Sequence, residues 1–332
     1  MVISRTPFRI SFFGGGTDYP GWYNEHGGAT LAASIDKYCY ITVGYLPPFF
    51  DFKYRIIYSK RELVNRVSEI QHPSVREILR FLGVRKGISL QHVGDLPART
   101  GIASSSSFTV GLLNALYALI GKMVTKKQLA MEAIKVEQDW MKENVGSQDQ
   151  VIVSFGGFNK IEFKAGKRNI EVTPVTLSPK RIKHFQSHLM LYFTGFSRLA
   201  SEIAGEQIRN IPAKKKELKA MYEMVFEAMD ILNSDRPLDA FGKLLHKAWL
   251  IKRTLSSKIT NSRIDEIYRT ARAAGAVGGK LLGAGGGGFM LLFARPEAQP
   301  NIKKKLKGLL YVPFKFEELG SQIIYYRPDT NF

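Results

Sequence analysis

Strand-like and helix-like patterns alternate along the first half of the chain. Runs rich in Ile, Val, Phe and Tyr predict strands over residues 2–13, 30–35, 39–45, 54–58 and 88–93. Apolar positions at helical spacing predict helices over residues 62–70, 74–82, 105–120 and 126–142. Segments 156–163 and 169–175 predict a hairpin around the turn Lys164-Ala-Gly-Lys167.

The pattern changes near residues 176–181, where Pro174 and Pro179 act as breakers. Because 332 residues exceed one typical core, we predict two domains, 1–178 and 179–332. After a strand at 189–193, the second half predicts helices over 200–209, 213–232, 237–250 and 263–273. Its end predicts strands over 289–293, 310–314 and 323–326, with a helix over 300–309. The predicted class is α+β in both halves.

Composition is that of a water-soluble globular protein, with 45% hydrophobic and 23% charged residues. No apolar run reaches the roughly 18 residues of a membrane span. Arg5 and Arg9 interrupt the first apolar stretch, which therefore lacks the pattern of a signal peptide. We expect a cytoplasmic protein. Cys39 is the single cysteine, so an internal disulfide is excluded, and its strand pattern indicates a small buried hydrophobe.

The chain carries 48 Lys and Arg against 29 Asp and Glu, a formal net charge of +19. Such a surplus makes nucleic acid a partner to consider. The positive charges are scattered, however, with clusters only at residues 214–216 and 303–305, and both clusters lie in helix-like segments. The sequence lacks the interleaved aromatic and basic residues that stack bases. An enzyme with phosphorylated substrates fits the charge as well, and we expect no nucleic-acid partner.

The segment Leu96-Pro-Ala-Arg-Thr-Gly-Ile-Ala-Ser-Ser-Ser-Ser107 follows a predicted strand and opens a long apolar segment. A small-residue turn at a helix N-terminus gathers free backbone N–H groups at the positive end of the helix dipole, which favours phosphate binding. The alternative is an ordinary serine N-cap. One serine suffices for a cap, and four follow Gly101 and the two residues after it. We therefore favour a phosphate loop.

Two further segments are rich in glycine. Residues 14–18, Gly-Gly-Gly-Thr-Asp, end the first predicted strand, and they fit either a ligand site around Asp18 or a tight turn. Residues 278–289 contain G-x-G-x-x-G, but a strand follows the glycines where a dinucleotide fingerprint needs a helix. That leaves a glycine loop lining a ligand or a flexible hairpin.

Two acids stand out between residues 136 and 150. Glu137 lies within a predicted helix, where a surface charge is the ordinary interpretation and metal binding the alternative. Asp149 precedes the apolar run 151–153 and fits either a positioned acid or a capping residue. His184 and His188 have helical spacing without a third ligand, so zinc is improbable. Walker A, protein-kinase and G-x-S-x-G hydrolase signatures are absent from the sequence.

In this order, the three motif segments 96–107, 146–149 and 280–288 resemble the GHMP kinases, the family of galactokinase, homoserine kinase, mevalonate kinase and phosphomevalonate kinase. Residues 97–106 match the family's P-x-x-x-G-[LI]-[GA]-S-S-[AS] phosphate loop, with Ala103 where glycine is usual. Residues 280–288 match its C-terminal glycine segment, and Gly146-Ser-Gln-Asp149 matches the segment that carries the catalytic Asp. The resemblance implies the GHMP fold, with two domains and the active site in the cleft between them.

The resemblance also implies roles for particular residues, with ATP and Mg²⁺ as cofactors. Asp149 is the expected proton acceptor and Arg9 its positioning partner; Ser105 and Glu137 are the expected magnesium ligands. The expected nucleotide-binding residues are Pro97, Arg99, Gly101, Ile102, Ala103, Ser104, Ser105, Ser106 and Ser107. The expected acceptor-binding residues are Gly15, Gly16, Thr17, Asp18, Arg198, Lys252, Lys280, Gly285 and Gly286.

Within the family, the start segment resembles that of the sugar kinases that act on an anomeric hydroxyl. The glutamate and histidine that galactokinases carry are missing from residues 14–18, and the G-G-G-T-D form is most similar to kinases of D-glycero-D-manno-heptose 7-phosphate. The implied partners are ATP and a phosphosugar, with a homodimer as one possible assembly. Another sugar-1-kinase, acting on fucose, another neutral sugar or a longer phosphosugar, is the alternative. A silent sensor is disfavoured because Asp149, Glu137 and the phosphate loop are intact.

Overall fold

A computed structural model describes residues 1–166, 169–195 and 200–328. Its strands within those ranges are β1 (Val2–Phe13), β2 (Gly28–Tyr45), β3 (Tyr54–Ile57), β4 (Arg61–Val64), β5 (Ile88–Gly94), β6 (Phe158–Phe163), β7 (Ile170–Pro174), β8 (Leu189–Phe193), β9 (Gly278–Leu281), β10 (Phe289–Phe293), β11 (Leu310–Tyr311) and β12 (Gln322–Tyr326).

The α-helices of the same ranges are α1 (Pro20–His26), α2 (Pro73–Leu82), α3 (Ser104–Leu119), α4 (Lys126–Lys135), α5 (Gln148–Phe155), α6 (Pro179–Ser187), α7 (Ala200–Asn210), α8 (Lys215–Asn233), α9 (Asp239–Lys252), α10 (Ser262–Ala273) and α11 (Gln299–Lys305). This mixture confirms the predicted α+β class.

The larger sheet has the order β12-β1-β2-β5-β3-β4, and β6 pairs with β2 and β7. Strand β2 runs through the segment where we predicted two strands, because β6 pairs with its first third and β5 with its last. The β1–β2 register shifts between Pro7 and Phe8 and again between Ser11 and Phe13, and the ladder runs from the Val2–Val43 pair to the Phe13–Leu31 pair. The long β1–β2 ladder brings the start of the chain to the loop that precedes α3.

Helix α3 packs across β1 and β2 and holds the phosphate loop at its N-terminus. Its side chains are buried on nearly every side, and the Ser4 hydroxyl donates to the Gly111 carbonyl at 2.8 Å where helix and strand approach closely. A helix apolar all round is typical of one enclosed by other elements. The predicted strand–loop–helix at residues 88–120 is therefore confirmed.

The smaller sheet, β11-β8-β10-β9, is antiparallel. Aromatic side chains lie between it and the larger sheet. Phe12 of β1 lies 5.7 Å from Phe185 of α6 and 5.6 Å from Phe241 of α9 between ring centroids, and these rings lie 6.1 Å and 5.9 Å from Phe293 of β10. The chain then returns, because β12 pairs with β1 in the larger sheet. The domain boundary at 178/179 stays a prediction, and β12 lies in the sheet of the first predicted domain.

The predicted helix over 62–70 is wrong. Residues 61–64 form β4 against β3, and Val67–Glu69 is a short 3₁₀ turn. The buried Glu62 carboxylate accepts the backbone N–H groups of Gln71 and His72 and the Tyr58 hydroxyl. These tertiary hydrogen bonds hold the segment extended and outweigh its helical pattern.

Sequence reasoning also missed α1, α5, α6, β9 and a wider turn after α4. The predicted helix over 126–142 is α-helical only to Lys135, and Val136–Trp140 is a π-helical turn. Of the described residues, no helix combines the length and the apolar character needed to cross a membrane.

Candidate active site

An open cleft is lined by residues from both halves of the chain. Those that the sequence predicted are Arg9, Gly15, Gly16, Asp18, Arg99, Gly101, Ala103, Ser104, Ser105, Ser106, Asp149, Lys252 and Lys280. Arg198 lies outside the described residues. The structure therefore brings the three motif segments of the sequence to one place.

The phosphate loop connects β5 to α3, whose first turn begins at Ser104. Arg99, Gly101 and Ala103 have φ angles of 62°, 79° and 66°, and Ala103 thus adopts the left-handed conformation that glycine favours. The backbone N–H groups of a first helical turn have no acceptor within the helix. Here they open onto the cleft, where the helix dipole favours an anion.

Three predicted members of the loop do not line the cleft. The Ile102 side chain is fully buried in the core. The buried Ser107 hydroxyl donates to the Pro7 carbonyl at 2.8 Å, and the Pro97 carbonyl accepts the Thr100 hydroxyl at 2.7 Å. These groups shape the loop, and contact of the three residues with nucleotide stays a prediction.

Arg9 and Asp149 form a two-pronged ion pair beside the loop. The Nε and Nη2 atoms of Arg9 donate to Oδ1 and Oδ2 of Asp149, each at 2.8 Å. The Nη1 atom donates to the Gly101 carbonyl at 2.8 Å. The Arg9 side chain is 3% exposed and that of Asp149 25%. The guanidinium group therefore fixes the carboxylate relative to the phosphate loop and leaves it accessible.

Asp149 is the second residue of α5, and Asp18 meets the start of that helix. The Asp18 carboxylate accepts the N–H groups of Gly16 at 2.9 Å and Gln148 at 3.3 Å. A Cβ added to Gly146 would lie 1.9 Å from Asp18 Oδ2, so a larger residue there would displace the buried Asp18 carboxylate. Burial raises the pKa of Asp18, and the Asp149 carboxylate adds to the rise.

Thr17 does not line the cleft, and its contact with the acceptor stays a prediction. Its buried hydroxyl donates to the carbonyls of Gly14 at 2.8 Å and Ala29 at 2.9 Å, and it accepts the Ala29 N–H. Because backbone groups occupy this hydroxyl, Thr17 shapes the turn that carries Asp18.

Two lysines enter the cleft from the C-terminal half, and both are at least 95% buried. Lys252 Nζ donates to the carbonyls of Leu281 at 3.1 Å and Gly283 at 2.5 Å. Lys280 Nζ donates to the Phe12 carbonyl at 2.8 Å. Burial lowers the pKa of Lys252 to about 7 and that of Lys280 well below its usual range, and nearby cations add to both effects.

The C-terminal glycines serve the packing of loops. A Cβ on Gly283 would lie 2.4 Å from the Gly101 Cα, and one on Gly288 would lie 2.1 Å from the Thr100 carbonyl oxygen. Gly285 packs against Ile259 in the same way. Gly286 donates its N–H to the Ile259 carbonyl at 2.8 Å. The prediction that Gly285 and Gly286 bind acceptor is not supported by this placement; Gly283 and Ala284 line the cleft instead.

Glu137 lies in the π-helical turn, fully buried behind the cleft. Its Oε2 accepts the Ser106 hydroxyl at 3.1 Å and the Gln150 amide, whereas Oε1 makes no hydrogen bond of ordinary geometry within the described residues. Burial raises the pKa of this carboxyl to about 7, and Glu143 adds to the rise. Ser105, the other predicted ligand, is exposed to the cleft.

These residues fit a magnesium site. A buried carboxylate oxygen without a partner, next to serine hydroxyls, is a hard oxygen set of the kind Mg²⁺ takes. The described residues contain no group of three acidic, histidine or cysteine ligands. In phosphoryl-transfer sites Mg²⁺ is commonly held by one or two protein groups together with substrate phosphates. Glu137 and Ser105 are the groups that would hold the ion, and the Ser106 hydroxyl orients the Glu137 carboxylate.

Several cleft residues escaped sequence reasoning. Gln148 accepts the Ser11 hydroxyl at 2.7 Å, and Gln207 of α7 donates to the Ala284 carbonyl at 2.8 Å. Tyr19 and Asn144 line the same cleft. Gln148 directly precedes the predicted acid Asp149, and this position could have indicated that it lines the cleft. Gln207 lies inside an ordinary amphipathic helix, where the sequence marks nothing.

A small-residue anion loop beside an Arg–Asp pair, in a cleft lined by both halves of the chain, fits a phosphotransferase. The family models agree: the GHMP kinase N-terminal domain matches residues 65–157, and the GHMP kinase C-terminal domain matches residues 214–311. The chain belongs to the GHMP kinase family and is an ATP-dependent phosphotransferase.

Individual proteins show the same likeness over the whole chain. The D-glycero-alpha-D-manno-heptose 7-phosphate kinase of Campylobacter jejuni is 28% identical, covering 92% of this chain and 93% of the relative. The L-fucokinase/L-fucose-1-P guanylyltransferase of Bacteroides fragilis is 25% identical over 92% of this chain and 36% of its own length. The solved D-glycero-D-manno-heptose 1-phosphate kinase of Bacteroides thetaiotaomicron has a TM-score of 0.80 at 20% identity, covering 98% and 100% of the two chains.

Proposed function

We propose that this protein transfers the γ-phosphoryl group of ATP to the anomeric C1 hydroxyl of D-glycero-D-manno-heptose 7-phosphate, giving the 1,7-bisphosphate. The observation that carries the proposal is the bidentate Arg9–Asp149 pair tied to Gly101 of the phosphate loop, with Asp18 in contact with the same helix start. It sets a proton acceptor, a hydroxyl-binding carboxylate and an anion site around one point. The Campylobacter relative supports the choice of acceptor.

The phosphate loop would bind the nucleotide. Backbone N–H groups from Gly101 to Ser106 would bind the β- and γ-phosphates, and the Arg99 side chain lines the same opening. A bound Mg²⁺ would neutralise developing charge on the phosphate oxygens. Ser105 and Glu137 would hold it, with Ser106 orienting the Glu137 carboxylate.

The acceptor side belongs to the two aspartates. Asp18 would accept hydrogen bonds from sugar hydroxyls, and Asp149 would take the C1 hydroxyl proton as the new O–P bond forms and the bond from the γ-phosphorus to ADP breaks. Arg9 holds both Asp149 oxygens, so the carboxylate keeps its direction during proton transfer. Phosphoryl transfer has a loose transition state, so positioning and charge should outweigh basicity.

The phosphate that the acceptor already carries needs a cation. Among the described residues, Lys280 Nζ has a single hydrogen-bond acceptor, the Phe12 carbonyl, so it keeps N–H donors for an anion, and a bound phosphate would favour its charged form. Lys252 spends two donors on backbone carbonyls. Lys280 is therefore the better candidate, and Arg198 stays a sequence prediction for the same role.

Another sugar-1-kinase activity is the second candidate. Leu218 and Leu255 lie 3.1 Å and 3.6 Å from a Cβ added to Gly16, so the turn that carries Asp18 has an apolar neighbour. An apolar neighbour of this turn would suit an acceptor with a methyl substituent, as in fucose. The fucokinase relative supports this alternative.

An ADP-release assay tests the proposal. Heptose 7-phosphate should give the highest kcat/KM, and ³¹P NMR of the product should show a second phosphate on C1. Unphosphorylated heptose, mannose and fucose provide the comparison. A higher kcat/KM for fucose would replace the proposal with the alternative, and phosphorylation at another position would contradict it.

A further inference from the structure

A continuous set of contacts joins the end of α9 to the phosphate loop. The Lys252 ammonium group donates to the carbonyls of Leu281 and Gly283, which lie where β9 ends and the glycine loop 283–288 begins. The two loops then touch backbone to backbone. A Cβ on Gly283 would lie 2.4 Å from the Gly101 Cα, and a Cβ on Gly101 would lie 2.6 Å from the Leu282 carbonyl oxygen.

The same contacts continue to the reacting groups. The Gly101 carbonyl accepts a hydrogen bond from Arg9, and Arg9 holds both oxygens of Asp149. The Phe289 N–H donates to the Thr100 carbonyl at 3.2 Å, a second tie between the loops. A displacement of the glycine loop would therefore move Gly101, and with it the nucleotide site and the Arg9–Asp149 pair.

Burial of the Lys252 side chain costs free energy that its hydrogen bonds must offset. The residue is 5% exposed, and burial of an ammonium group away from water is unfavourable. Among the described residues its hydrogen-bond partners are two backbone carbonyls. The charge of Arg9 repels the ammonium group, and the charges of Asp18 and Asp149 attract it. A methionine would fill similar space without the charge, but it would leave both carbonyls without this donor.

We infer that Lys252 is a positioning residue, which holds the glycine loop 283–288 against the phosphate loop and so fixes Gly101 and the Arg9–Asp149 pair for phosphoryl transfer. The inference rests on the proposed function only where it concerns the acceptor. It departs from the expectation that Lys252 binds the acceptor's phosphate, a role that leaves nucleotide binding unchanged.

The test compares Lys252→Met with Lys280→Met in the full-length chain. Calorimetry with a non-hydrolysable ATP analogue and Mg²⁺, without sugar, should show about tenfold weaker binding in Lys252→Met, the scale of one lost charge-assisted hydrogen bond. Its kcat should fall about a hundredfold for heptose 7-phosphate and for unphosphorylated heptose alike, as expected for a small misplacement. Lys280→Met should instead raise KM for the phosphorylated acceptor selectively.

A glycine variant examines the same contact from the other side. Gly283→Ala pushes a methyl group into Gly101 and should reproduce the loss of nucleotide affinity, even if Lys252→Met does not fold. Gly275→Ala is its matched control, because Gly275 also has a positive φ of 114° and its added Cβ would crowd Ala298 at 2.9 Å, at the far end of α10. That variant should lose stability and bind nucleotide normally.

Unchanged nucleotide affinity in Lys252→Met, with KM raised only for the phosphorylated sugar, would overturn the inference and return Lys252 to the acceptor site. Wild-type nucleotide affinity in a folded Gly283→Ala would overturn it as well. The nucleotide measurement needs no sugar, so it decides the role of Lys252 even if the proposed acceptor is wrong.

Discussion

The phosphate loop and the glycine loop 283–288 have similar small-residue compositions, yet they meet the cleft in opposite ways. The phosphate loop turns Ser104, Ser105 and its free N–H groups toward the space where a ligand would bind. The glycine loop turns most of its backbone toward Gly101, Thr100 and Ile259. A run of glycines therefore indicates only that something approaches the backbone closely. That neighbour can be another segment of backbone as well as a ligand.

The largest effect should follow from Asp149→Asn, which removes the proposed proton acceptor on the phosphate-loop side. The kcat should fall at least about a hundredfold, because general-base assistance is typically worth ~10²–10⁴-fold. Nucleotide affinity should remain, since Arg9 still donates to an amide oxygen. Steady-state kinetics and calorimetry measure the two. The exposed Asp235→Asn serves as control, and near-normal turnover in Asp149→Asn would remove Asp149 from the reaction.

Burial of the Lys252 side chain behind the glycine loop should make the stability of the protein depend on pH. Burial lowers the pKa of Lys252 to about 7 in the folded protein, against an ordinary value of 10.5, so between these values the unfolded chain binds more protons. Stability must therefore rise with pH in this window. From pH 7 to 9 the free energy of unfolding of the wild type should gain about 2 kcal/mol on that of Lys252→Met. Urea titrations at the two pH values measure it; parallel profiles would contradict the assignment.

A smaller effect should separate two neighbouring serines of the phosphate loop. Ser105→Ala should raise the half-saturating Mg²⁺ concentration about tenfold, because this exposed hydroxyl faces the cleft. Ser106→Ala should raise it less, since its hydroxyl orients Glu137. Initial rates against Mg²⁺ concentration distinguish them. The reverse order would make Ser106 the ligand.

The parts of the fold that sequence predicted best are those set by local pattern. The strand at 88–93, the loop after it and helix α3 followed from apolar periodicity and small residues. Helices α7 to α10 appear within a few residues of the prediction. The segment around Glu62 failed because its extended form depends on N–H groups nine and ten residues away, which a local pattern does not encode.

In the candidate active site, too, local motifs could be predicted and tertiary contacts could not. The motifs located Arg9, Asp18 and Asp149, but nothing local showed that Gly146 packs on the Asp18 carboxylate or that Asp149 begins a helix. The β-branched run Val151-Ile-Val153 gave no helical signal. Glu137 lies in a π-helical turn, which widens the helix at one point. Such turns are associated with functional sites, and apolar periodicity does not detect them.

The pairing of β12 with β1 gives this protein an order of assembly during synthesis. Arg5 and Thr6 of β1 bond to Gln322 and Ser321, more than 300 residues later. A ribosome releases roughly 5–20 residues per second, so for tens of seconds the nascent chain presents one edge of β1 without its partner strand. An open edge is a template for pairing with other chains. The early strands thus depend on the last one to close a surface prone to aggregation, and shortening the chain before β12 would leave that surface permanently open.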